Sequence, residues 1–381
     1  MPWEYKTVRA QREEFVLAAQ RGGNFSALCR EFGISRKTGY KWMRRAQDGE
    51  ELDDRSRKPK RVSARTPEAI ESKILAVRAE HPGWGARKIK IVLEKAGEQG
   101  IPSARTVNAV LHRHGCIDVE ESRKRQAFRR FERERCNELW QTDFKGEFRT
   151  QDGRYCYPLD IIDDHSRFAL RRAAASTAQA VIPVFESAFR EYGLPQAVLS
   201  DNGAQFAGFR GGYTHFEKWL MDLDVLPIHD RIGHPQTQGK IERFHRTMKQ
   251  EFLRYHSFAD AADADAQLQV WRHTSNMDRP HAALNMRCPG EVYVPSERRF
   301  PERIVPFEYG GRFHVRKVNN WGYVRFGPDF QIYLSETMAG EGIEFRPGQE
   351  GDVFVACYRN FKIATFSTQN GSLVNRHITR L

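Results

Sequence analysis

The sequence predicts a multidomain chain with a basic all-α front, a mixed α/β middle and a small all-β end. Helix-period segments broken by short Gly- or Pro-marked turns fill residues 8–114. From about 139, runs rich in aromatic and β-branched residues alternate with helix patterns. From about 306, only short strand-like runs with frequent Gly turns remain. A chain of 381 residues, 40% of them apolar, is long enough for two to four domains with real cores.

The net charge of +12 sits in the front. Residues 1–135 hold 31 Lys+Arg against 19 Asp+Glu, and the remaining 246 hold 30 of each. Such a balance points to a polyanionic partner. The six cysteines form no Cys-x-x-Cys pair, which argues for reduced thiols rather than a disulfide frame. His112, His114 and Cys116 lack the second pair that would complete a zinc site. No apolar run approaches the ~20 residues that cross a bilayer. Met1-Pro2-Trp3-Glu4-Tyr5-Lys6 lacks the apolar stretch of a signal peptide. The expectation is a soluble cytoplasmic protein without membrane contact.

Three helices are expected over 9–20, 25–32 and 36–47, with Gly33-Ile34-Ser35 as the tight turn before the third and Ser35 as its cap. Residues 1–54 thus resemble a helix-turn-helix unit. Its third helix would offer Arg36, Lys37, Thr38, Tyr40, Lys41 and Arg44 to a DNA major groove. A three-helix packing module with a solvated basic face is the alternative. Residues 55–65, carrying Arg57, Lys58, Lys60 and Arg61 among Pro and Ser, read as a basic linker along phosphates. A solvated run that binds nothing is the alternative there.

Thr66 as cap and Pro67 at the first helical position open a helix to about 80. His81-Pro82-Gly83-Trp84-Gly85 breaks it, and helices follow over 86–95 and 103–114. Residues 66–121, through the stretch His81 to Ile89, resemble a second helix-turn-helix domain, which implies Arg87 and Lys88 among its DNA contacts. Residues 122–135, half of them Arg or Lys, read as a basic connector.

The middle segment, 136–275, predicts strands over 139–149, 155–162 and 167–174, then a helix over 178–192 buried through Val181, Phe185, Ala188, Phe189 and Tyr192. A buried strand at 197–200, a helix near 214–222, a strand at 225–229, a helix after 240 and another over 261–276 complete it. That order fits a ribonuclease-H-like α/β fold. Residues 276–305 form an extension, and 306–381 a small β-barrel of SH3-like character for DNA or subunit contact.

Three carboxylates in this segment occur in three settings. Asp143 lies in a strand run, Asp201 at a strand exit before Asn202-Gly203, and Glu242 in the first turn of a helix. Each alone reads as a solvated side chain, a turn residue or a dipole contact. On the helix, Ile241, Phe244, Met248 and Phe252 make a buried stripe, while Glu242, His245 and Lys249 share the adjacent face. Asp160, Asp163 and Asp164 are expected to shape a hairpin turn.

Five stretches resemble the catalytic core of DDE transposases of the bacterial insertion-sequence type, with a retroviral-integrase-like core. They are Leu139-Trp140-Gln141-Thr142-Asp143-Phe144, Ile161 to Arg167, Ser200 to Phe206, His234 to His245, and Arg279-Pro280-His281. The resemblance implies that Asp143, Asp201 and Glu242 are catalytic metal ligands for two Mg²⁺ ions, with Mn²⁺ as substitute, and that Lys249 lies near DNA. His245 and Lys240 are expected beside it on phosphate. The interval from Asp201 to Glu242 is longer than the retroviral pattern, and Gly208 to Gly212 is the place for a loop insertion.

The function so implied is binding of an element's terminal inverted repeats, metal-dependent cleavage of 3′ ends and strand transfer into target DNA. A homodimer or larger assembly on nucleoid DNA is expected. The alternatives are a site-specific DNA-binding regulator with an inactive core and a nuclease that cuts without joining.

Overall fold

The structure, a computed structural model, describes residues 7–54, 66–117, 132–175, 181–208, 212–229, 239–326, 330–348 and 351–381. It divides into two compact units, residues 1–65 and 66–381.

The first unit contains α1 (Val8–Gln20), α2 (Phe25–Glu31) and α3 (Arg36–Gln47). Each start is fixed by a side chain that accepts a free backbone N–H: Thr7 from Ala10, Asn24 from Ser26 and Ala27, Ser35 from Thr38. Phe15, Val16, Cys29, Trp42 and Leu52 form the core. Gly39 lets α3 lie close, since a Cβ there would come within 2.8 Å of the Cys29 Sγ and 2.9 Å of Phe15.

The second unit begins with α4 (Glu68–Glu80), α5 (Ala86–Lys95) and α6 (Ala104–Arg113). The helix expected to open at Pro67 starts one residue later. Pro67 itself is the extended capping residue, without a side-chain cap bond. Ile74, Trp84, Ile89, Leu93, Val107, Val110 and Leu111 close a small core.

A mixed sheet follows, from β1 (Trp140–Phe144), β2 (Phe148–Arg149), β3 (Tyr155–Asp163), β4 (Ala169–Ala175), β5 (Ala197–Ser200) and β6 (Leu226–His229). The single strand expected over 139–149 is two, interrupted by the turn at Gly146. The order is β2-β3-β1-β5-β6 with β4 also on β3; β1 and β3 are antiparallel, and β1, β5 and β6 parallel. Between strands run α7 (Val181–Tyr192) and α8 (His215–Asp222), and after them α9 (Gly239–Glu251) and α10 (Ala261–Met277). Trp140, Leu159, Ile161, Leu170 and Val198 pack against α7 and α8 on one face. Ile162, Ala169 and Ile241 join on the other, where α9 lies.

The last segment holds β7 (His314–Lys317), β8 (Tyr323–Phe326), β9 (Phe330–Tyr333), β10 (Gly342–Pro347), β11 (Val353–Tyr358), β12 (Phe361–Ser367), β13 (Leu373–Asn375) and β14 (Thr379–Arg380). The expected barrel is not closed among the described residues. The antiparallel order is β13-β12-β11-β10-β7 with β14 on β12, and β8 and β9 form a separate ribbon. The outer strands β13 and β7 are exposed along their length. The core of this sheet admits Tyr213 and Met221 from the α/β segment. Residues 209–211 of the expected loop insertion lie outside the described residues.

Candidate active site

β1 and β5 run side by side, with Trp140 opposite Val198 and Gln141 opposite Leu199. Two residues further in that register, Asp143 of β1 stands beside Asp201, the first residue past β5. Asp143 holds its proton up to about 6, chiefly because burial disfavours its charge. His245 counters this, and the negative charge of Asp201 adds to it. Asp201 accepts the Gly203 N–H at 3.0 Å, the turn that Asp201-Asn202-Gly203 encodes. Behind it, Ser200 Oγ lies 3.1 Å from His229 Nδ1, and His229 Nε2 lies 2.9 Å from the buried Glu217.

Strand alternation turns Trp140 to the α7 face and Gln141 and Asp143 to the α9 face. The buried Gln141 donates to Asp164 at 2.7 Å and accepts the Ile241 N–H at 3.3 Å, which pins the start of α9. Across the sheet, β3 sets Asp160 directly opposite Asp143. Like charges so placed repel, and His245 of α9 sits over both. Its Nδ1 lies 3.6 Å from Asp143, and its Nε2 lies 2.9 Å from Asp160.

His245 is therefore not a phosphate contact on an outer face. It is 7% exposed and turned inward with the stripe of Ile241 and Met248, because two carboxylates draw it there. Asp160 was expected in the turn, but it is wholly buried in mid-strand. The signal that could have found it is an ionisable residue inside the apolar run Tyr157 to Ile162, which must have a partner. Asp163 does shape the turn, while the Asp164 carboxylate reaches out of it to Gln141, Lys240 and the Arg133 backbone. Asp163 accepts Ser166 N–H and O–H at 2.7 and 2.6 Å, and Asp164 accepts the Arg133 N–H at 2.8 Å.

Glu242 is exposed in the first turn of α9. Among the described residues, no three His, Cys, Asp or Glu are gathered closely enough to hold a metal ion. Asp143 and Asp201 are thus brought together, and Glu242 is not gathered with them. Residues 234–238 of the motif preceding α9 lie outside the described residues.

The expected DNA contacts divide. Arg36, Lys37, Tyr40, Lys41 and Arg44 are exposed on α3, Arg87 on α5 and Lys249 on α9, where the unanticipated Arg243 and Arg246 are exposed too. Two others belong elsewhere. Lys240 is bound by the carboxylate and carbonyl of Asp164, and Lys88 by Glu251 at 3.1 Å; burial pushes both ammonium groups down to about 8. Each lies where its helix meets a buried carboxylate, so its charge is spent inside the protein. Arg57, Lys58, Lys60 and Arg61 lie outside the described residues.

Residues 133–235 and 223–289 match the integrase core domain. Residues 38–111 match a homeodomain-like domain, and 11–60 a helix-turn-helix domain. The chain is 27% identical over 232 residues to the insertion element IS407 uncharacterized 31.7 kDa protein of Burkholderia multivorans, covering 59% of this chain and 80% of that one. It is 28% identical over 138 residues to the transposase for transposon Tn552 of Staphylococcus aureus, 32% of this chain and 28% of that one. Among solved structures, the HTLV-2 integrase catalytic core domain in complex with magnesium matches at 16% identity and TM-score 0.32, covering 42% of this chain and 97% of the other. A chain of the simian T-cell lymphotropic virus intasome in complex with PP2A regulatory subunit B56 gamma matches at 17% identity and TM-score 0.37, covering 73% of this chain and 93% of the other.

Proposed function

We propose, for a DDE transposase of the insertion-element type with helix-turn-helix modules ahead of an integrase-like core, that it binds the terminal inverted repeats of its own element and transfers the 3′ ends into target DNA. The observation that carries this is the pair Asp143, on β1, and Asp201, just past the end of the neighbouring parallel strand β5, with a raised proton affinity on Asp143. Two half-buried carboxylates that repel each other suit a divalent cation, and hard oxygen ligands suit Mg²⁺ or Mn²⁺. Asp143 and Asp201 would hold the ions, two in our reading, with Glu242 as third ligand.

Bound ions supply an activated oxygen nucleophile and relief of phosphate charge. His245, itself bound by Asp160, sits against Asp143 and orients it. Lys249, Arg243 and Arg246 line the exposed side of α9 for the phosphate backbone. Hydrolysis frees a 3′-OH, which then attacks a target phosphodiester and expels its 3′ oxygen. Two element ends require two such sites, so we infer a homodimer or larger assembly on DNA.

The purified full chain with Mg²⁺ and duplexes carrying both element ends should yield joined products. Asp143→Asn, Asp201→Asn and Glu242→Gln should each abolish joining while specific binding stays within a few fold. Substantial joining by any of the three would remove that residue from the site. A DNA-binding regulator with an inactive core is the second reading, favoured by the exposure of Glu242. Specific binding without any breaks would establish it, and nicks without joined products would indicate a nuclease.

A further inference from the structure

Three stretches that the catalytic site leaves unused meet at one side chain. They are the turn from His81 to Gly85 ahead of α5, the last residue of α9, and Arg279 of Arg279-Pro280-His281. Glu251 ends α9 with its side chain only 10% exposed. Arg279 grips it as a fork, with two nitrogens 2.7 Å from its two oxygens. Lys88 of α5 donates at 3.1 Å, and the Trp84 indole N–H at 3.2 Å.

The backbone confirms how close this approach is. A Cβ at Gly83 would come within 2.3 Å of the Glu251 Cγ, so glycine alone lets the turn lie against α9. His81 stacks on Trp84 at 3.7 Å and holds the indole in place. At the other end of α5, Lys95 reaches Glu291 at 2.9 Å, an exposed pair that adds little by itself. A buried ion group is a weak source of net stability, so what this one supplies is geometry.

The connected parts are functional ones. Glu242 lies nine residues before Glu251, about 14 Å along the axis of α9. α5 packs on α6, which leaves Arg105, Asn108 and His112 exposed. We propose that Glu251 is a positioning residue: it latches the second helix-turn-helix module to the catalytic helix, so that DNA gripped by α6 lies at a fixed offset from Asp143 and Asp201 and one phosphodiester is selected. This rests on the transposase reading above.

Two variants separate the latch from general stability. Lys88→Met removes the charged grip of the module and leaves the Arg279 fork and the Trp84 core intact; Glu251→Gln keeps the shape and removes the charge. In the DNA-free full chain, amide exchange over 83–90 and the last turn of α9 should quicken about tenfold in both, with α1 to α3 unchanged. On duplexes carrying the element ends with Mg²⁺, the share of breaks at the wild-type phosphodiester should fall about threefold and spread to its neighbours. Specific binding should stay within about threefold, and Lys88→Arg should keep a single break. Unchanged protection, or breaks that stay at one phosphodiester at the wild-type rate, would overturn the latch. If the wild-type protein makes no break, the transposase reading falls and the exchange result alone decides the latch.

Discussion

A carboxylate buried beside another carboxylate keeps its proton, and Asp143 does so to about 6 where an exposed aspartate releases it at 3.8. Between those values the metal-free fold binds more protons than the unfolded chain. The stability this group lends is therefore complete below 3.8 and lost as the pH rises through 6. The cost of the charged form at pH 8 is about 3 kcal/mol at most. With a chelator present, Asp143→Asn should raise the calorimetric unfolding midpoint at pH 8 and leave it unchanged at pH 3.5; equal midpoints at pH 8 would show that the carboxylate is not desolvated. At this scale the sequence was legible where a residue works locally, as with Asp201 and its turn. It was not legible where the partner is distant: Lys240 and Asp164 are 76 positions apart, and Lys88 and Glu251 are 163. Composition marks such lysines as basic surface, and only the fold shows that their charge is spent.

Helices α1 to α3 show how an element carries its own instructions. Their starts are set by Thr7, Asn24 and Ser35 within three residues of the bonds they accept, so they were readable in advance to within a residue or so. The packing of α3 is a different matter. Gly39 faces Cys29, Phe15 and Phe25 at distances that leave no room for a methyl group. Gly39→Ala gains helix propensity of about 1 kcal/mol and is expected to lose roughly 1–3 kcal/mol to overpacking. Faster amide exchange confined to α1 to α3 of the full chain would register the loss, and unchanged exchange would show that the core yields. On the outer face, Lys41→Gln should weaken binding to any duplex alike and lower the salt slope by about one, because a phosphate contact carries no sequence information. α9 shows the limit of periodicity: the pattern put His245 beside Glu242 and Lys249, but its ring turned inward between Asp143 and Asp160.

Within residues 66–381, the C-terminal sheet is bound to α8 by a charged clamp. Asp222 receives Tyr358 Oη at 2.5 Å, Arg359 at 2.9 Å and Lys218 at 2.9 Å, with a side chain 9% exposed. Tyr213 enters the core of the sheet and donates to the Ile363 carbonyl at 2.7 Å, while Ser335 bonds the Tyr213 backbone on both sides. Asp222→Ala would leave Arg359 and Lys218 half-satisfied in a dry contact, a loss of about 3–5 kcal/mol. The expected reading is a lower unfolding midpoint with early proteolytic release of the sheet; release no faster than wild type would show that the apolar contact alone holds it. This docking places the sheet against the helix that follows Asp201, a consequence no strand pattern in 306–381 could announce.

The sequence by itself determined the order of the elements, the mixed α/β segment and the Asp143 and Asp201 positions, because periodicity, caps and turns act over a few residues. Tertiary structure alone decided that His245 sits between Asp143 and Asp160, that Glu251 takes bonds from Trp84, Lys88 and Arg279, and that the last sheet is not closed among the described residues. Each of those depends on which distant side chains share a desolvated space, and burial there obliges every charge to find a partner.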